Sequence, residues 1–98
     1  MLAGNVIAAP RTVAVAIENM RFDPVALTVS PGDRIVWVNK DPVPHTVSAD
    51  GLAFNSGEIA SGASWTYVAK RPGELPYHCA YHPAMKGKLI VTGAEKQT

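Results

Sequence analysis

Eight prolines and eight glycines interrupt the 98-residue chain so often that no long helix fits between them. What lies between is strand-like. Thr12-Val-Ala-Val-Ala-Ile17 alternates so that Val13, Val15 and Ile17 share one face. Val25-Ala-Leu-Thr-Val29 repeats the period of two and stops at the turn sequence Ser30-Pro-Gly-Asp33. Arg34-Ile-Val-Trp-Val-Asn39 is a continuous apolar run of strand length, predicted to be covered on both faces. Ser64-Trp-Thr-Tyr-Val68 alternates again, Lys70-Arg-Pro-Gly73 turns, and Lys88-Leu-Ile-Val-Thr92 closes the set. Pro76 falls inside the strand leading to Cys79, where it cannot donate to a ladder, so an edge position or a bulge is predicted there. Turn signals at this spacing without a helix predict an all-β sandwich or small barrel of one domain. Its core is expected over about 12–92, with flexible ends at 1–10 and 93–98.

Charge and cysteine content exclude several function classes. Nine Lys/Arg against eight Asp/Glu give a net charge of +1, without the concentrated positive charge that nucleic acid or an anionic membrane surface attracts. No apolar run approaches the roughly 20 residues of a membrane span. The single cysteine rules out an internal disulfide and any metal site of several thiolates. The start, Met1 to Pro10, lacks the features of a secretory signal, which leaves a cytosolic chain and a chain with its leader removed both open.

The chemistry is concentrated in Tyr77-His-Cys-Ala-Tyr-His-Pro-Ala-Met-Lys-Gly87, where Cys79, His82 and Met85 follow a C-x2-H-x2-M spacing. Only a loop could turn all three inward, and Pro83 and Gly87 are suited to one. His45 follows a proline-stiffened segment at the end of the Trp37 run. Thiolate and thioether are soft ligands that select copper. Two imidazoles and a thiolate in a plane, with a weak axial methionine, define a blue-copper electron-transfer site. Zinc has little use for the thioether. His78 precedes Cys79 in a strand and should face the other way, which leaves His45 and His82.

The C-x2-H-x2-M loop, Pro44-His45, and Val29-Ser-Pro-Gly-Asp-Arg-Ile-Val-Trp-Val-Asn39 resemble the cupredoxins, blue copper proteins, of the amicyanin and pseudoazurin type. The likeness runs from about Ala14 to Thr92. It implies a Greek-key β-sandwich of seven to eight strands and one copper ion per chain, Cu(I)/Cu(II), held by His45, Cys79, His82 and Met85. It also implies a monomeric periplasmic electron carrier, not an enzyme. Electrons would pass between redox proteins, for example an amine dehydrogenase and a c-type cytochrome. Asn39 would bridge its strand to the Cys79 loop. Two residues depart from the pattern. Ala80 stands where Thr or Ser usually follows the cysteine, and Tyr81 stands where Pro usually precedes the second histidine. The N–H that Tyr81 restores is expected to reach the Cys79 sulfur and raise the reduction potential.

Each residue also has a plainer role. Cys79 alone fits a small buried apolar residue, or a Cys-His nucleophile; Met85 alone fits core filler. Trp37, Trp65, Phe22, Phe54 and Met20 read as packing residues, and Tyr67 and Tyr77 as possible anchors of loops through their hydroxyls. An apolar surface of Val43, Pro44, Leu52, Ala53, Pro83 and Ala84 is predicted around an exposed His82 edge. A copper carrier and a cysteine hydrolase are the competing functions.

Overall fold

A computed structural model describes residues 9–93, as two four-stranded sheets packed face to face. The strands are β1 (Thr12–Glu18), β2 (Arg21–Asp23), β3 (Ala26–Val29), β4 (Arg34–Asn39), β5 (Ser48–Ala49), β6 (Ser64–Val68), β7 (Gly73–His78) and β8 (Lys86–Val91). One sheet runs β2-β1-β4-β6 and the other β3-β8-β7-β5. β1 pairs in parallel with β4, and β3 in parallel with β8; the remaining pairs are antiparallel. An all-β sandwich is therefore what forms.

Alternation sets which side chains meet between the sheets. Val15 and Ile17 on β1, Ile35 and Trp37 on β4, and Leu89 and Val91 on β8 are all buried. The Trp37 strand departs from expectation. Val36 and Val38 are only half-buried, because a two-layer sandwich covers one face of each sheet. Trp37 also sews the layers together. Its indole N–H donates to the Tyr77 hydroxyl at 3.2 Å, and the two rings meet edge-on at 5.5 Å. Tyr77 thus anchors the core, not a loop, and burial holds its phenol above the usual pKa.

Two short strands lie where no strand is legible in the sequence. β2 follows a two-residue turn, Asn19-Met20, with φ values of 56° and 59°. That pair of left-handed residues matches the twist of a tight hairpin. It leaves Met20 exposed, contrary to its expected packing role. β5 is two residues long, and its ladder partners in the sheet are Tyr77 and His78. Pro76 therefore lies just past the β5 ladder, on the edge side of β7, and its carbonyl accepts the Asp50 N–H at 2.9 Å. The expected flexible ends fall largely outside the described residues.

β1 and β4 end together, and the hairpin of β7 and β8 turns at the same pole as their ends. Residues 19–20, 40–45 and 79–85 meet there.

Gly87 lies opposite Tyr77 in the β7–β8 ladder, and a Cβ there would overlap the phenol ring. Gly87→Ala should cost about 1–3 kcal/mol in chemical unfolding; an unchanged midpoint would contradict the contact. Asp33 is buried and its pKa is lowered, chiefly by the N–H groups of Arg11 and Ser30 and, against the cost of burial, by the Arg11 guanidinium. This carboxylate stabilises the fold above its ordinary pKa of 3.8, and that contribution is lost as pH falls through the lower folded value. Asp33→Asn should flatten the acid limb of unfolding free energy against pH. A limb as steep as the wild type's would contradict the assignment.

Candidate metal centre

The β7–β8 hairpin closes through a loop held by its own backbone. Cys79 N–H donates to Met85 O at 3.1 Å, His82 N–H to Cys79 O at 3.2 Å, and Met85 N–H to His82 O at 2.8 Å. These bonds wind the chain so that Cys79 and Met85 both point inward and are buried, while His82 keeps part of its ring at the surface. The fourth residue arrives from the segment between β4 and β5. His45 is fully buried and exchanges both backbone bonds with Ile59, at 3.1 and 2.8 Å. Its Nδ1 lies 3.6 Å from the Cys79 sulfur. Its ring stands 5.3 Å, centroid to centroid, from that of His82. His45, Cys79, His82 and Met85 thus converge at one pole. His78 does not join them; it turns outward and pairs with Asp50 at 2.6 Å.

A buried carboxylate decides which histidine nitrogen is free. Asp41 Oδ2 lies 2.8 Å from His45 Nε2, and the Asp41 carboxylate also accepts the N–H groups of Asn19 at 2.7 Å and Met20 at 3.0 Å. Burial alone would raise the Asp41 pKa, but the Met20 N–H, the His45 ring and the Asn19 N–H outweigh it and hold the carboxyl below its ordinary value. An ionised Asp41 accepts, so His45 Nε2 carries the proton and Nδ1 presents a lone pair beside the thiol. The one sequence cue to Asp41 is its position four residues before His45 in the proline-braced segment.

Three expectations about the surroundings need correction. The Asn39 amide does not reach the Cys79 loop. It donates to Val43 O and Ile59 O at 2.9 and 3.0 Å, and its oxygen accepts Asp41 N–H. Asn39 therefore braces the segment that carries Asp41 and His45. The hydrogen bond to the Cys79 sulfur comes from Thr46 N–H at 3.3 Å, not from Tyr81. Tyr81 reaches outward instead, and its hydroxyl donates to Glu58 at 2.9 Å. The surface beside His82 also differs. A depression of about 440 Å³ is lined by Met20, Tyr81, His82, Pro83, Ala84 and Met85. Leu52 and Ala53 are not among these lining residues; they sit in the turn that Ala49 and Phe54 close.

The family model for a cupredoxin-like domain matches residues 2–91. The chain belongs to the cupredoxin-like family. It is 31% identical over 84 residues to an amicyanin of Paracoccus versutus, covering 81% of this chain, and 32% identical over 87 residues to a plastocyanin of a Synechococcus strain, covering 74%. In both cases the chain spans 64% of the relative's length. Among solved structures, a Cu(I) form of an amicyanin variant superposes with a TM-score of 0.76 at 27% identity, covering 90% of this chain and 87% of that one.

The copper ion that this family implies fits the residues present. A soft sulfur and an unprotonated imidazole nitrogen are buried side by side, a thioether is buried in the same loop, and the half-buried His82 ring stands near that of His45. Asp41 supports the fit by fixing the tautomer. Asp41→Ala is expected to weaken Cu(II) binding about 10–100-fold in competition with a chelator; unchanged affinity would show that the carboxylate does not orient His45.

Proposed function

We propose that the chain is a type 1 copper electron carrier, with His45, Cys79 and His82 as its strong ligands and Met85 as the weak one. The observation that carries this reading is the 3.6 Å approach of His45 Nδ1 to Cys79 Sγ, with the imidazole proton committed to Asp41 on the far side. Bound copper supplies the one-electron couple Cu(I)/Cu(II). The protein supplies fixed donors. His45 is clamped by Ile59 and Asp41, and the Cys79–Met85 loop by its three internal bonds, so neither segment has to rearrange when the charge of the site changes by one.

The surface beside His82 fits electron exchange in brief encounters. Tyr81, Pro83, Ala84 and Met20 surround the exposed part of the imidazole with little charge, so a partner loses few hydrated groups on contact. The amicyanins among the relatives, and a similar chain named methylamine utilization protein MauL at 28% identity, favour redox proteins as partners; our reading takes an amine dehydrogenase as donor and a c-type cytochrome as acceptor. We place this carrier in the periplasm, as a monomer that is not itself an enzyme.

Two outcomes test this reading. Ala84→Asp should slow electron exchange with a c-type cytochrome several-fold and leave the visible spectrum of the copper protein unchanged; equal rates would place the exchange surface elsewhere. The wild-type protein should also keep its copper through repeated cycles of oxidation and reduction beside a chelator. Loss of copper within a few cycles would favour a copper carrier instead.

A further inference from the structure

Thr46 occupies an unusual position between the two halves of the site. Its backbone carries the chain directly on from His45, and its N–H donates to the Cys79 sulfur. Its hydroxyl oxygen accepts the Ala80 N–H at 2.7 Å, the shortest of the bonds that reach the ligand loop from outside it. The same hydroxyl lies 3.0 Å from Ser48 Oγ, and Ser48 Oγ lies 3.3 Å from Asn55 Oδ1. Thr46 and Ser48 are both buried.

The direction of this chain of hydrogen bonds is fixed by donor counting. Asn55 Oδ1 also accepts Gly57 N–H at 3.0 Å, so the atom facing Ser48 is an oxygen and can only accept. Ser48 must therefore donate to Asn55. Having one proton, it accepts from Thr46. Thr46, having one proton, accepts from Ala80. The result is a one-way relay from the Ala80 amide through two hydroxyls to Asn55, in which each bond polarises the next. Val47 N–H donates to Ser56 Oγ at 2.8 Å and ties the same segment to the 55–57 turn a second time. Ala80 has no hydroxyl of its own, and among the described residues no other side chain holds its amide.

We propose that the Thr46 hydroxyl is a positioning group for the Cys79 thiolate. By fixing the Ala80 amide it fixes where the chain leaves Cys79, and so keeps the sulfur within reach of the Thr46 N–H. This role rests on the copper reading above. A donor to the thiolate draws electron density from it and favours Cu(I) over Cu(II). Loosening the loop weakens that donor and shifts the couple toward Cu(II).

The test compares Thr46→Val, which keeps the size and the N–H, with Thr46→Ser, which keeps the hydroxyl. In the metal-free protein the Ala80 amide should exchange its hydrogen several-fold to about tenfold faster in T46V than in wild type. In the copper-loaded protein the reduction equilibrium should shift several-fold toward Cu(II) in T46V, and T46S should restore both readings. Wild-type values of either reading in T46V would overturn the proposal; so would failure of T46S to restore them. Faster exchange with an unchanged equilibrium would leave Thr46 a purely structural brace. If T46V does not fold, Ser48→Ala removes the next link, and smaller changes in the same directions are expected; none would overturn the relay. A wild-type protein that binds copper without a thiolate charge-transfer band would overturn the copper reading itself and this role with it, whereas Ala80 exchange in the metal-free protein reports on the relay alone.

Discussion

The site depends on one buried ion, the Asp41 carboxylate. An unpaired carboxylate in this position would be costly, and three donors remove that cost: two backbone N–H groups from the Asn19-Met20 turn and the ring of His45. The left-handed turn is what aims both amides at one side chain. The β1–β2 hairpin, the 40–45 segment and the buried histidine are thus mutually fixed. The carboxylate that holds them also decides which imidazole nitrogen faces the thiol. Asn39 completes the arrangement from below by pinning Val43 and Ile59.

The cysteine half is built by different means. It hangs from a hairpin whose ladder places Gly87 beneath the Tyr77 ring, and Tyr77 in turn hydrogen-bonds Trp37 across the sandwich. The position of the Cys79–Met85 loop is therefore referred to the core of both sheets. Thr46 then joins the halves, since it adjoins His45 in the chain and meets Cys79 and Ala80 in space. A binding loop held in this way resists changes in shape as a ligand's charge changes, which is what fast one-electron exchange requires.

Much of this frame was legible in the residues. The period of two in Val13–Ile17 and in Ser64–Val68 needs no partner to be read, because a sandwich face imposes it directly. The convergence of Cys79, His82 and Met85 was legible because their spacing is short enough that one loop must bring them together. β2 and β5 were not, since three and two residues carry no period. Asp41 and Thr46 are not legible for a related reason: a buried polar residue is placed by its hydrogen-bond partners, and several of theirs are 21 to 34 residues away in the chain. Asn39 does act as a brace, but its partners are Val43 and Ile59, not the Cys79 loop, because its neighbours depend on how the 40–45 segment folds back. Tyr81 restored an N–H to the loop, yet the Thr46 N–H is the one that meets the sulfur.

The central claim is that a thiolate and two imidazoles meet at one copper ion. Stepwise addition of Cu(II) to the metal-free protein, followed by visible absorption, addresses it most directly. An intense blue band that saturates at one equivalent and disappears on reduction with ascorbate is the predicted result. A folded protein that binds one equivalent and stays colourless would contradict it, because copper would then be held without the Cys79 sulfur.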